Sequence, residues 1–192
     1  MTEELQNPKF RKTGYIQIYT SEGKGKTTAS MGLALRALGS GWKVLIMQFC
    51  KGGDRCKYGE YNALNSLKDN IRKNLKYKNC GFDKVVYKAN LTDEDKLEAQ
   101  KGWFYIIHNA KEYDMIVLDE INIALDLDTI HIDQVLDFLK NKPKRLEVVM
   151  TGRIGRPEIR EKLFEVAHLI TGMNPIKHYI DIGVKSRRGV EY

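Results

Sequence analysis

Residues 23–28 read Gly-Lys-Gly-Lys-Thr-Thr, and their neighbours leave few folds open to the chain. The preceding segment, "GYIQIYT" (14–20), alternates apolar and polar residues and is rich in β-formers, which predicts a first strand. The following "KTTASMGLALRAL" (26–38) carries Met31, Leu35 and Leu38 on a helical stripe, then reaches Gly39 and Gly41, where a left-handed residue can end a helix. Strand, glycine turn, helix is the context in which backbone N–H groups and a helix N-terminus converge on one anion. Lys26 stands where an ammonium neutralises phosphate oxygens, and Thr27 where a hydroxyl ligates Mg²⁺. Gly25-Lys26-Thr27 fits the end of the Walker A pattern, although Thr20 occupies its first glycine position.

Strand signals then alternate with helix signals. "KVLIMQF" (43–49), "DMIVLDE" (114–120) and "LEVVMTG" (146–152) are short apolar runs of the kind covered on both faces. "KVVYKA" (84–89) and "HLITGM" read as further strands. Helices are expected over 60–74, after the Thr92 cap, across "HIDQVLDFLKNKP" and from Pro157. In the second of these, Trp103 and Phe104 are expected in the core. The pattern predicts an α/β fold: a three-layer, mostly parallel sheet with helices on both faces, in a P-loop NTPase (RecA-like) architecture. One domain is expected over 14–192, behind a flexible arm at 1–13.

The second half of a nucleotide site requires an acid at the end of a buried strand. Asp119 and Glu120 follow four apolar residues and supply it, so Mg²⁺ (or Mn²⁺) and a nucleoside triphosphate are the expected ligands. The net charge of +7 suits such a polyanion. It is not concentrated in an aromatic-and-basic motif, so nucleic acid is not the expected partner. No run is long enough to span a bilayer and the N-terminus has no export pattern, giving a cytoplasmic expectation. Cys50, Cys56 and Cys80 contain no C-x-x-C pair and read as reduced thiols.

The wider text is more specific than the loop. "GYIQIYTSEGKGKTTASMGLALRALGSGWKVLIMQFCKG", "YDMIVLDEINIAL", "VVMTGRIGRPEI" and "IKHYIDIGVKSRRGVEY" resemble, in order and spacing, the P-loop ATP:corrinoid adenosyltransferases of the CobA/BtuR type. The resemblance implies transfer of the 5′-deoxyadenosyl group of ATP to Co(I) of a reduced corrinoid (cobalamin or cobinamide), releasing triphosphate. It carries over Gly23, Lys24, Gly25, Lys26, Thr27 and Thr28 as the triphosphate cradle, with Lys26 and Glu120 catalytic. Thr27, Glu120 and Asp119 become the metal-side groups, and Phe82 and Arg153 corrinoid- or phosphate-contacting residues. Lys177 and His178 match its tail. A homodimer and an electron donor such as a flavodoxin or flavin reductase are also implied.

Three departures accompany the likeness. Ser21 and Glu22 replace the glycine and asparagine usual in the family's loop. Lys84 stands where a family tryptophan presses, with the phenylalanine matched by Phe82, on the corrinoid's lower face. The arm at 1–13 carries no matching motif. Two other readings use the same loop: an ATP hydrolase or small-molecule kinase drawing on the arginines of "GRIGR" (152–156), and a non-catalytic ATP- and corrinoid-binding protein.

Overall fold

In the strand Val44–Phe49 every side chain is buried, which requires cover on both faces of the sheet. The computed structural model describes residues 13–50, 59–81 and 86–191 and shows that cover. Six strands, β1 (Ile16–Thr20), β2 (Val44–Phe49), β3 (Leu75–Cys80), β4 (Met115–Asp119), β5 (Glu147–Thr151) and β6 (Leu169–Gly172), form one sheet in the order β3-β2-β4-β5-β1-β6. All its pairings are parallel. The expected three-layer α/β architecture is therefore present, and the sheet is entirely parallel.

Side-chain alternation divides the core in two. Val44, Ile46, Met115, Val117 and Val149 pack with Met31, Ala34 and Leu38 of α1 (Lys26–Gly39) on one face. Leu45, Met47, Ile116, Leu118, Val148 and Met150 pack on the other. That second face is covered by α4 (Asp93–Asn109), α5 (Ile121–Asp126), α6 (Ile132–Asn141) and α7 (Pro157–Val166). Leu35, expected on the buried stripe of α1, is instead 49% exposed, because Ala34, Ala37 and Leu38 make the contact.

The long helix α4 starts as its sequence requires. Thr92 Oγ1 accepts from the Asp95 N–H, and Asp95 Oδ2 accepts from the Thr92 N–H. Asp93, Glu94 and Asp95 put negative charge at its positive end. Trp103 is fully buried and meets Phe138 edge to face at 5.5 Å. Phe104, also expected in the core, is 63% exposed and lies on His108, since the next residue of a helix points about 100° away.

The region between β2 and α4 departs most from expectation. The predicted helix over 60–74 is two short ones, α2 (Gly59–Asn65) and α3 (Asp69–Arg72). The edge strand is "LKYKNC" (75–80), paired with β2 from Val44↔Leu75 to Phe49↔Cys80. Of the strand predicted at 84–89, residues 84 and 85 lie outside the described set; Lys88–Asn90 form a 3₁₀ turn, closed by Asn90 Oδ1 accepting from the Tyr87 N–H. Phe82 and Lys84 are thus outside the described residues, as is the arm up to residue 12. Cys50 and Cys80 are thiols outside any disulfide among the described residues, while Cys56 lies outside those residues. Among the described residues, no helix is long and apolar enough to cross a membrane.

Candidate functional site

The loop joining β1 to α1 and the ends of β4 and β5 meet at the carboxyl edge of the sheet, where α/β folds place their ligand sites. β5 lies between β1 and β4, so Thr151 stands between the loop and the acids; it pairs in register with Tyr19. Two features set the loop's path. Ser21 adopts a left-handed φ of 77°, and Gly25, capping α1, has φ 115°. For a serine that backbone costs on the order of 1 kcal/mol, a strain held in place by the loop's other contacts. Gly23 donates its N–H to the Met173 carbonyl at 2.6 Å, and a Cβ there would lie 2.3 Å from that oxygen. Only glycine fits.

Lys26 is half-buried and reaches back across the loop, donating to the carbonyls of Ser21 (2.7 Å) and Gly23 (2.6 Å). Its ammonium is held below the usual lysine range by burial, opposed by the field of Glu120. A half-buried cation on this loop, at the same edge of the sheet as the acid-ended strand β4, is suited to a polyanion. Thr27 is half-buried at the helix start and Thr28 is exposed.

Lys24 is placed differently. It donates to Tyr179 Oη (2.9 Å), the Val190 carbonyl (2.8 Å) and Glu191 Oε1 (2.6 Å). The first lysine of the loop thereby ties down the C-terminal tail. Glu22 and Arg153 form an ion pair, Nε to Oε2 at 3.2 Å, with both side chains largely exposed. The acid that departs from the family's loop is therefore matched by a cation from the turn after β5. Arg156 pairs with Asp128 and Glu158, so both arginines of "GRIGR" have acidic partners, Arg153 on the β1–α1 loop and Arg156 away from it. His178 accepts from the Ile180 N–H through Nδ1 and caps a 3₁₀ turn at Tyr179–Ile182. A cleft of about 430 Å³ runs between Gly23, Lys24, Met173 and this turn, with Lys177 on its rim.

The two acids have distinct settings. Asp119 is fully buried; Oδ1 accepts from Thr151 Oγ1 at 2.6 Å and Oδ2 from Gln48 Nε2 at 2.8 Å. Glu120 is half-buried with a left-handed φ of 59°, and its N–H donates to Thr151 Oγ1 at 2.9 Å. Its carboxylate lies over Gly152, where a Cβ would come 3.1 Å from Oε2. Asp119 organises the turn, and Glu120 is the acid it presents. Gln48 was not legible as a site residue, because it sits mid-run in an apolar strand 71 positions away. Its one signal is that an amide interrupts "VLIM_F".

A parallel sheet with this strand–loop–helix, and acids at the end of a neighbouring strand, defines a P-loop NTPase-like α/β protein. Residues 12–192 match the family described as ATP:corrinoid adenosyltransferase BtuR/CobO/CobP, and the chain belongs to it. It is 34% identical to a corrinoid adenosyltransferase of a Sinorhizobium species, over 99% of this chain and 86% of the relative. It is 30% identical to the corrinoid adenosyltransferase of Escherichia coli K12, over 93% and 86%. An uncharacterized protein of a Nostoc species is 33% identical over 98% of this chain, which spans about half of that relative's length.

Proposed function

We propose that this chain transfers the 5′-deoxyadenosyl group of ATP to the cobalt of a reduced corrinoid, with triphosphate as the leaving group. Co(I) supplies the electron pair that forms the bond to C5′; the C5′–O bond breaks and its pair departs on the triphosphate. The protein then needs no nucleophile of its own. Its tasks are to hold ATP with C5′ towards the cobalt and to stabilise charge on the departing triphosphate. The observation that carries this reading is Lys26, half-buried on the loop with its ammonium on the Ser21 and Gly23 carbonyls, in a chain of this family.

Gly23, Gly25, Lys26, Thr27 and Thr28 are proposed as the cradle, with Lys26 the main countercharge. Lys24 joins it by exchanging a tail contact for phosphate. The oxygen donors Thr27 and Glu120 suit a hard cation, and Gly152 leaves room for the Glu120 carboxylate, so these two residues would hold Mg²⁺ or Mn²⁺. Bound there with ATP, the ion supplies charge neutralisation on the leaving phosphates. Asp119 supports from behind. Phe82 remains proposed for the corrinoid face and Arg153 for its amide rim, and the homodimer, the flavodoxin or flavin-reductase donor and a cytoplasmic setting belong to the same proposal. A phosphoryl-transfer reading would draw on Arg153 and Arg156, which would first have to leave Glu22, Asp128 and Glu158.

The test is Mg-ATP with chemically reduced cobalamin and, separately, cobinamide, following the corrinoid spectrum and the phosphorus products. Adenosyl-corrinoid with triphosphate is the expected result. ADP and phosphate without a cobalt–carbon bond would overturn the proposal.

A further inference from the structure

A hydrogen-bonded string crosses four adjacent strands of the sheet at its carboxyl edge. Tyr77 Oη on β3 donates to Gln48 Oε1 on β2 at 2.9 Å. Gln48 Nε2 donates to Asp119 Oδ2 on β4, its in-register neighbour. Asp119 Oδ1 accepts from Thr151 on β5, whose oxygen in turn accepts the N–H of Glu120. Gln48, Asp119 and Thr151 are all fully buried.

Donor chemistry fixes the direction of every link. An ionised carboxylate only accepts, so the amide must turn its nitrogen to Asp119 and its oxygen to Tyr77, which must donate. Thr151 has one proton; spent on Asp119, it leaves a lone pair for the Glu120 N–H. The string therefore ends by holding Glu120 in a left-handed backbone that a residue with a side chain adopts only under constraint. Elsewhere in an apolar strand, an amide with no such task would be an unrewarded buried polar group.

We infer that Gln48 is a positioning residue for the reaction, acting through Asp119 and Thr151 to aim Glu120 at the metal–triphosphate, with Tyr77 setting the sense of its amide. The inference rests on the reading of Glu120 as the metal-side acid. It assigns Asp119 to support rather than to direct ligation.

The probe is Mn²⁺ binding in the presence of ATP without corrinoid, followed by electron paramagnetic resonance, beside turnover with preformed Co(I). Gln48→Met should weaken Mn²⁺ binding about tenfold and lower kcat similarly, with KM for ATP changed less than about twofold. Tyr77→Phe, which keeps the amide in place, should show the same pattern at about threefold and serves should the methionine variant not fold. The decisive variant combines Gln48→Glu with Asp119→Asn. The introduced amide can donate where the carboxylate accepted, the introduced carboxylate can accept from it and from Tyr77, and Thr151 keeps an acceptor. Each single change should impair Mn²⁺ binding, and the pair should recover to within about threefold of the parent. A double variant as poor as Asp119→Asn alone, or a folded Gln48→Met with unchanged Mn²⁺ binding and kcat, overturns the inference. Glu120→Gln reports on the reading beneath it: unchanged Mn²⁺ binding there removes the metal assignment itself, whatever Gln48 does.

Discussion

Lys24 and Glu191, 167 positions apart, lie with Nζ and Oε1 at 2.6 Å, and Tyr179 donates to the same carboxylate oxygen. The turn at Arg187–Glu191 is thereby clasped to the β1–α1 loop. Arg187 adds its backbone N–H to Glu191 Oε2. The Glu191 carboxyl is held down to about 2, first by the hydrogen bond from Lys24 and then by that from Tyr179. A depressed carboxyl contributes stability above the ordinary carboxylate range and loses it only as pH falls towards the folded value. Lys24 is shifted up by the same contact, so its share is lost only in strong base. The clasp is closed throughout the neutral range.

Opening it should be visible without harm to the core. Glu191→Gln removes the charge and leaves an amide. Trypsin should then cut faster after Lys185, Arg187 and Arg188, while Tm stays within about 2 °C, as expected for a solvent-exposed pair. KM for ATP should fall with kcat little changed, because Lys24 no longer has to give up the Glu191 charge before it meets phosphate. Unchanged proteolysis would show that the other tail contacts suffice.

Lys26 supports a prediction with a built-in control. Its pKa is lowered by burial, so the charged form is disfavoured in the free fold, and polyphosphate should relieve that cost. ATP at about 100 times Kd should raise the parent's Tm by roughly 5–10 °C. Lys26→Ala should lose most of that rise yet melt no lower than the parent without ligand. With Co(I) supplied, its transfer rate should fall by at least ~100-fold. Near-normal turnover would place the countercharge elsewhere.

The loop and acids were legible because their signals are local: a glycine–lysine turn between two periodic segments, and a carboxylate ending an apolar run. Contacts made across the sheet were not. Nothing in the spacing of Gln48, Asp119 and Thr151 announces that they touch, and Lys24 gave no sign of pairing with a residue at the far end. The edge strand was misplaced for a related reason. In "LKYKNC" lysines fill the alternate positions, since the outer strand of a sheet stands partly in water, so the run reads as polar. "VVY" is richer in β-formers, yet the Asn90 side chain turns the backbone into a 3₁₀ turn just beyond it.

At Gly23 the backbone passes so close to the Met173 carbonyl that any side chain must move the loop or the tail. Gly23→Ala should leave the far-ultraviolet spectrum intact and weaken ATP binding by at least ~10-fold, because the adjoining amides no longer converge. Gly32→Ala is the control, since a Cβ there meets nothing within 4 Å. Alanine also suits a helix better than glycine, so that variant should melt slightly higher.

The final prediction concerns how α4 is seated against the edge of the sheet. A Cβ on Gly102 would lie 2.0 Å from Cys80 Sγ, and that sulfur sits 2.9 Å from Met47 Sδ. The thiol is buried and its pKa is pushed up to about 12, so it is poorly nucleophilic as well as enclosed. Gly102→Ala should therefore cost ~1–3 kcal/mol by overpacking, or roughly 3–10 °C in Tm. Cys80→Ala should cost less, and adding it to Gly102→Ala should recover much of the loss, since the sulfur is the atom in the way. A thermal-melting cycle over the four proteins measures the coupling. Additive losses would mean that the helix escapes the clash by moving off the strand. The cycle then also reports on the site, because Cys80 ends the strand whose Tyr77 begins the string to Glu120.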